Sequence, residues 1–424
     1  MPPNSSTCTQ YFLPPVAVVG HFLIGGKRIS FAGTVTGHDD GRFSIQIDDQ
    51  DWSGVDYVAM HSTRGTPGTK SDYFSLHAAS ADGKTFASDT VWFTYLSNRG
   101  AAVDFHRLTV TLSGETEVTS PRLAMRLRGL RNFGPTVADT PLGVVDLRAA
   151  HDTNTDEPAG VVLIEAPAES PSANWRQEAE AFLVFLRCGM ALAHGGRLQM
   201  PLLEYYDGTS CAATYYAGRG SEPELGVHHP LANTEYFQAV TRRYFIDPPW
   251  PDLLWEVQGW MHLESTHDEV RVLSAVIALE TLLRLLPAVD TVHIDKATFK
   301  PIKERLHKTL DGISGLSPTL RETFANSISS MNKRPLRDKV EAILDHYQVR
   351  KDDIIGPLKS AINERNKIVH EGQAQNPDDT WDLAVLTREA VTRILLKEMR
   401  YEGTYECYLG GRHTRMFPSC QPTT

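Results

Sequence analysis

The first part of the chain alternates short apolar runs with clusters of turn residues. Runs such as VAVVGHFLI and TVWFTYL are rich in β-branched and aromatic residues, and stretches such as HDDGR and RGTPG separate them. Many short strands at this spacing predict an N-terminal antiparallel β-sandwich or barrel-like domain over residues 1–165. A linker and mixed α/β region is predicted for 166–250, with an Ala-, Pro- and Ser-rich start and one helix at 176–194.

The period of the apolar residues becomes helical in the last third of the chain. Short connections, with Gly312 and Gly372 where helices should stop, predict a C-terminal all-α bundle over 251–405. The predicted helices span 252–264, 267–286, 298–311, 318–330, 336–347, 357–371 and 379–401. The last residues, 406–424, are predicted to form an extended tail. The predicted fold class is therefore α+β, with separate β-rich and helical domains.

Charge is distributed unevenly along the chain. The 424 residues carry a net charge of −10, which argues against a general nucleic-acid-binding surface. Between Lys296 and Lys367, however, there are fifteen Lys and Arg against nine Asp and Glu, a local net charge of +6. A basic segment in an acidic protein indicates either a local anion site or a solvated helix surface.

The cysteine and histidine patterns predict no metal or cofactor site. The five cysteines are widely spaced and include no C-x-x-C pair, so we expect reduced thiols in a cytoplasmic protein. The sixteen histidines include no H-E-x-x-H motif. We expect no membrane association, because no apolar run reaches the ~18 residues that a spanning helix needs and no signal peptide is recognisable.

The segment GPLKSAINERNKIVHEG, residues 356–372, carries the most informative pattern. At about 100° per residue, its apolar side chains share one helical face. The predicted buried stripe consists of Leu358, Ala361, Ile362 and Val369. Arg365 falls in the middle of that stripe, with Asn366 and His370 as an i, i+4 pair on its flank. A guanidinium on an apolar face is costly unless an anionic or polar group receives it.

Three kinds of partner could receive the Arg365 guanidinium: a structural carboxylate, a substrate phosphate, or each in turn. Glu280 is the internal candidate, because it has the same mid-stripe position on the helix predicted at 267–286, although Arg284 could pair with Glu280 instead. His370 is predicted in the last helical turn, where a cation is favoured by the helix dipole. From these residues alone, a structural ion pair with a helix-capping histidine and an anion site both remain open.

The residues RNKIVH at 365–370 resemble the R-N-x-x-x-H signature of the HEPN superfamily, the helical nuclease modules of prokaryotic defence and toxin systems. The flanks also fit, since ALETLLRLL at 278–286 resembles the long first helix of such modules. A long closing helix follows the signature helix, as in that superfamily. A β-rich region ahead of the bundle resembles the ApeA-type anti-phage HEPN proteins. The resemblance is carried by residues 252–405.

The resemblance implies a metal-independent endoribonuclease that acts as a homodimer through its helical bundle. Arg365 would stabilise charge on the RNA phosphate, Asn366 would orient it, and His370 would act as general acid or base, with Glu280 in support. A phage-derived or host trigger would act on the protein, and the β-rich domain would sense or restrain. The local basic excess is consistent with an RNA approach lined by Lys333, Arg334, Arg337, Arg350, Lys351, Lys359 and Lys367.

Two other hypotheses remain open. In the first, the bundle is a non-catalytic binding or sensor module and the Arg–His signature is structural. In the second, the protein is an unrelated hydrolase with its site around Asp207, Tyr205, Glu222 and the pair His228–His229, where no spacing matches a known constellation.

Overall fold

The chain divides into two compact units, Met1–Asp247 and Pro248–Thr424. The computed structural model describes residues 13–38, 42–48, 69–97, 100–114, 118–130, 133–149, 158–168, 171–218, 224–285 and 292–418. The run YVAMHS at 57–62, which also predicts a strand, lies outside the described residues. The first unit is β-rich and the second is mainly helical, so the α+β fold class is confirmed.

Thirteen strands of the first unit form one continuous antiparallel sheet. Their bounds are β1 Val16–Ile24, β2 Lys27–Gly37, β3 Phe43–Asp48, β4 Phe74–Ser80, β5 Thr85–Ser97, β6 Gly100–Phe105, β7 Arg107–Ser113, β8 Arg122–Arg128, β9 Thr136–Thr140, β10 Gly143–Ala149, β11 Pro158–Glu165, β12 Gln199–Tyr206 and β13 Ser210–Tyr216. The strand order is β4-β1-β2-β3-β6-β5-β7-β13-β12-β8-β11-β10-β9.

An additional pairing of β4 with β5 closes the first six strands into a ring. Side chains alternate between the two faces of these strands, so that one set gathers in a common core. Phe22, Ile45 and Val103 are fully buried members of this core. Strand β5 also pairs with β7, and that pairing continues the sheet beyond the ring. The N-terminal antiparallel β architecture predicted from the sequence is therefore confirmed.

Two helices accompany the sheet, α1 Trp175–His194 and α2 Asn233–Tyr244. Helix α1 ends at Gly195, whose φ of 79° is a left-handed conformation that glycine adopts without strain. Helix α1 packs against β8 and helix α2 packs against β9. The strands of the predicted mixed region, β12 and β13, pair with β8 and β7. Most of that region is thus an integral part of the first unit.

The second unit contains helices α3 Leu253–Met261, α4 Asp268–Leu285, α5 Lys296–Asp311, α6 Pro318–Ser330, α7 Leu336–His346, α8 Ile355–Glu371 and α9 Thr380–Glu398. Every helix that the sequence predicts here is present, with its ends shifted by a few residues at most. Helix α4 packs against α3, α7, α8 and α9. Among the helices in the described ranges, none is long and apolar enough to cross a membrane.

Two features of the second unit depart from a simple bundle. Helices α5 and α6 pack on each other as a hairpin, and α6 buries none of its side chains. The prediction of an extended tail is wrong, because strands β14 Gly403–Cys407 and β15 His413–Phe417 form an antiparallel hairpin. Tyr405 and Phe417 are buried there and their rings are in contact, so one face of the hairpin is packed and not solvated. Short 3-10 turns occur at Lys70–Asp72, Pro230–Ala232 and Pro377–Asp379.

Candidate functional site

Helix α8 carries the R-N-x-x-x-H segment and has well-defined ends. Pro357 lies in the first turn, where its missing N–H removes no intrahelical hydrogen bond. Gly372 ends the helix with a φ of 76°, and its N–H donates to the carbonyl of Ile368 at 3.0 Å. His370 therefore lies in the last turn of the helix, as predicted.

The packed face of α8 is rotated relative to the predicted stripe. Leu358, Ala361 and Ile368 are buried, and Ile368 joins a cluster around Val272 between α4 and α9. Val369 is 53% exposed, so the prediction that it belongs to the buried stripe is wrong. Adjacent residues of a helix point about 100° apart, and only one of this pair can face the bundle. Ile368 is the residue that faces the bundle, because it packs in the cluster around Val272.

A buried carboxylate, Glu364, lies on the packed face of α8, and the sequence pattern does not indicate it. Oε1 of Glu364 accepts the backbone N–H groups of Gln375 and Asn376, the second at 3.2 Å. These two amides lie in the middle of the connection from α8 to α9, so Glu364 fixes that connection against the helix. The partners of Glu364 are loop backbone groups, which leave no signal in the residue pattern.

The Arg365 guanidinium lies at the border of the packed face. Its Nη2 is 3.6 Å from Oε2 of Glu280, and its Nη1 donates to Oδ1 of Asn366 at 3.1 Å. The predicted Glu280–Arg365 contact is therefore confirmed, and Arg284 donates instead to Thr281 at 3.2 Å. The Arg365 and Glu280 side chains are 26% and 41% exposed, which limits such a pair to about 0–1 kcal/mol. Within the described residues, Nε of Arg365 is buried without a hydrogen-bond partner.

Asn366 and His370 lie on the exposed side of α8. Helical geometry places their Cβ atoms about 5–6 Å apart, one turn from each other. Among the described residues, no side chain forms a hydrogen bond with the His370 imidazole. The edge of α8 thus presents a cation, an amide and an imidazole. Such a row offers hydrogen-bond donors for an oxyanion and a group that can carry a proton.

The basic residues predicted around the site fall into two groups. In one group, Lys333, Arg337 and Lys359 are exposed and Arg334 is half-buried. In the other, Lys351 is held by Glu341 at 3.0 Å and Asp345 at 2.7 Å. The hydrogen bond with Asp345 raises the pKa of Lys351. Arg350 lies 3.9 Å from Asp352, and Lys367 donates to the side chain of Gln375. RNA would have to displace carboxylates to use Lys351.

A second set of charged side chains lies inside the helical unit, where the sequence indicated no site. Arg393 is 2% exposed and donates to the two oxygens of Asp353 at 2.7 and 3.0 Å. Its Nε donates to Glu389 at 2.8 Å. Tyr405 donates to Glu389 at 2.7 Å, and Arg415 donates to Asp353 at 2.6 Å. These contacts join the segment before α8, helix α9 and the β14–β15 hairpin.

The environment of this buried network shifts the pKa values of its members. Burial alone would raise the pKa of Asp353, but hydrogen bonds from Arg393 and Arg415 outweigh it and hold the pKa well below the usual range. Burial raises the pKa of Tyr405, and burial raises the pKa of Cys407 to about 11. The charges of the network are mutually paired, which is typical of a structural ion cluster.

The polar cluster of the alternative hydrolase hypothesis is used in local structure. Asp207 accepts the backbone N–H group of Ser210 at 2.7 Å and so builds the turn between β12 and β13. His228 stacks on Phe133 with ring centroids 4.0 Å apart. Glu222 lies outside the described residues.

Comparison with known proteins adds no relative to these observations. No protein-family model, no curated protein and no solved structure matches the chain. Within the described ranges, no group of three or more His, Cys, Asp or Glu side chains is arranged to hold a metal ion. The function is therefore inferred from the residues of this chain.

Proposed function

We propose that the chain is a HEPN-type endoribonuclease of a prokaryotic anti-phage defence or toxin system. The observation that carries the proposal is the row of Arg365, Asn366 and His370 along the accessible edge of α8. A guanidinium at this position has a weak carboxylate contact and a buried N–H group without an acceptor in the described chain. The weak contact and the partial exposure of the side chain suit a site that receives a phosphate from outside, which would reach the Nη groups and not the buried Nε.

The proposed reaction is an attack by a ribose 2′-hydroxyl on the neighbouring phosphate. A bond forms between the 2′ oxygen and phosphorus, and the bond from phosphorus to the 5′ oxygen of the next nucleotide breaks. His370 accepts the proton of the 2′-hydroxyl or donates one to the leaving oxygen. Arg365 stabilises the charge that develops on the phosphate oxygens, and Asn366 orients the phosphate. The products are a 2′,3′-cyclic phosphate and a 5′-hydroxyl.

Glu280 supports the site by holding Arg365 when no RNA is bound. The separation of 3.6 Å and the exposure of both side chains make this contact easy to exchange for a phosphate. A stronger, buried pair would keep the guanidinium from the substrate. Both the presence of the Glu280–Arg365 contact and its weakness therefore fit the role proposed for Glu280.

A homodimer through the helical bundle is part of the proposal. One copy of α8 supplies one imidazole, whereas the reaction uses both a base and an acid. A second copy related by a two-fold axis would add another His370 and would cover the exposed Val369. The β-rich unit would sense or restrain this dimer in response to a phage-derived or host trigger.

A non-catalytic binding or sensor module is the second candidate function. The contact between Arg365 and Glu280 favours it, because the guanidinium already has an internal carboxylate partner. In that case the imidazole of His370 would stabilise the C-terminal end of α8, where the helix dipole favours a cation.

RNA cleavage by the purified full-length protein in EDTA distinguishes the two functions. We expect the wild type to produce 2′,3′-cyclic phosphate ends, and Arg365→Ala and His370→Ala to produce none. Arg305→Ala and His346→Ala are matched controls, because both residues are exposed on helices of the same unit. Equal cleavage by all five proteins would refute the nuclease. An inactive wild type, with a large loss of stability in Arg365→Ala, would favour the binding module.

A further inference from the structure

A polar cleft of about 350 Å³ opens in the β-rich unit between the sheet and helix α1. Residues of β4, β5, β7 and β13 form one side, and the first turns of α1 form the other. This volume lies at the lower end of the range for small-molecule sites, about 300–1,000 Å³. The cleft has room for a small organic molecule and is far from the α8 segment in sequence.

Two arginines reach the cleft from different elements, Arg107 from β7 and Arg176 from α1. Nη2 of Arg107 donates to the two oxygens of Asp89 at 2.8 and 2.7 Å. Nε of Arg176 donates to Glu180 at 3.0 Å. A guanidinium has five N–H donors, so each carboxylate occupies one side of its arginine and leaves the other donors unused by the described protein atoms.

Aromatic residues complete the surroundings of these arginines. The Arg176 guanidinium lies 4.3 Å from the centre of the Tyr205 ring, a cation–π contact that orients it. Tyr216 also lines the cleft, and burial raises the pKa of its phenol, so that this group stays protonated.

We propose that this cleft binds a small organic molecule through an oxyanion group, either a phosphate or a carboxylate. Guanidiniums that are already oriented by a carboxylate or an aromatic ring lose little freedom on binding a planar or tetrahedral oxyanion. The guanidinium donors that no described protein atom accepts favour a ligand rich in acceptors. The inference concerns the β-rich unit and does not rest on the proposed nuclease function. If both hold, the cleft provides the β-rich unit with a ligand to sense.

Isothermal titration of the full chain with four probes tests the proposal. Inorganic phosphate, adenosine monophosphate and succinate carry an oxyanion, and adenosine carries none. We expect at least one oxyanion probe to bind, with an affinity that falls as salt rises, and adenosine not to bind. Replacing Arg107 and Arg176 by alanine together should weaken binding at least about tenfold, since each replacement removes charge-assisted hydrogen bonds.

Two further variants keep the test decisive. The double Arg→Lys variant at 107 and 176 retains the charge and should bind more tightly than the double alanine variant. Arg148→Ala should bind like the wild type, because Arg148 pairs with Asp146 at 2.6 Å on β10 and does not line the cleft. Adenosine monophosphate binding more tightly than the other probes would assign a phosphate ester, and succinate binding alone would assign a carboxylate. The proposal is overturned if no oxyanion probe binds at millimolar concentration, if a folded double alanine variant keeps full affinity, or if adenosine binds as tightly as its monophosphate.

Discussion

Replacing Arg393 by methionine is expected to destabilise the helical unit strongly, whereas the same change at Arg365 is expected to alter its stability little. Both arginines contact carboxylates within one unit. They differ in burial and in the number of carboxylates that each guanidinium contacts. Methionine keeps most of the aliphatic stem in each case, so that the comparison isolates the guanidinium.

The difference in magnitude follows from the geometry of the two sites. Arg393 is 2% exposed, and its removal leaves Glu389 and Asp353 without their main cation. Breaking a buried pair from one side costs about 3–5 kcal/mol, because a desolvated charge remains. The lower part of that range is expected here, since a tyrosine and a second arginine still reach these carboxylates. The Arg365 side chain is 26% exposed, and its 3.6 Å contact with Glu280 contributes about 0–1 kcal/mol.

Differential scanning calorimetry of the full chain measures both effects. A change of 1 kcal/mol shifts the melting temperature by about 2–4 °C for a unit of this size. We expect Arg393→Met to lower the melting temperature of the helical unit by roughly 6–12 °C, and Arg365→Met by at most about 4 °C. The two units can unfold in separate transitions. The transition whose midpoint falls in Arg393→Met is then the unfolding of the helical unit. If Arg365→Met lowers the same transition equally, the Arg365 guanidinium is structural and the nuclease proposal loses its main support.

Three further changes test other parts of the molecule. Glu364→Ala should lower the free energy of unfolding by about 1–3 kcal/mol, because two loop amides lose their acceptor, and an unchanged urea midpoint would contradict this. Because the pKa of Asp353 is lowered in the folded state, its stabilisation is present above the ordinary carboxyl pKa of 3.8 and is lost as the pH falls below that value. Melting temperatures measured against pH should therefore fall more steeply in acid for the wild type than for Asp353→Asn. Parallel curves for the two proteins would contradict the stabilising role of the Asp353 carboxylate. Phe324→Ser on α6, where the ring is 47% exposed, should cost less than about 0.5 kcal/mol, whereas Leu279→Ala in the core should cost about 2–5 kcal/mol. Equal losses in denaturant titrations would mean that α6 packs as tightly as α4.

The positions of the helices and strands could be predicted because each element carries its own local signals. The sequence predicts helix α6 at 318–330, and the helix spans Pro318–Ser330. Ser317 caps it by accepting the N–H of Leu320, and proline suits the first helical position. Such signals act within a few residues of the helix end, so a single sequence is enough to read them.

The topology of the sheet could not be predicted in the same way. Strand β13 pairs with β7, so Thr214 lies opposite Thr109 although the two residues are 105 positions apart in the chain. Strand β4 pairs with both β1 and β5 to close the ring. Apolar alternation marks a strand and its inward face, but it does not say which other strand lies beside it.

The candidate site shows the same division between local and long-range information. The contact between Glu280 and Arg365 could be predicted from helical periodicity. The rotation of α8 could not, because Ile368 and Val369 are neighbouring β-branched residues and either suits a buried face. Long-range packing against Val272 decides between them.

The arginines of this protein show how pairing separates a structural cation from a candidate binding group. The Arg393 guanidinium donates to two carboxylates and to a backbone carbonyl, and little of it is left for a ligand. Arg365 and Arg107 are each held by a carboxylate on one side, while part of each side chain stays exposed. Holding a cation on one side restricts its motion at a small cost in stability. The unused side can then meet an oxyanion with little further loss of entropy, which a fully paired arginine cannot do.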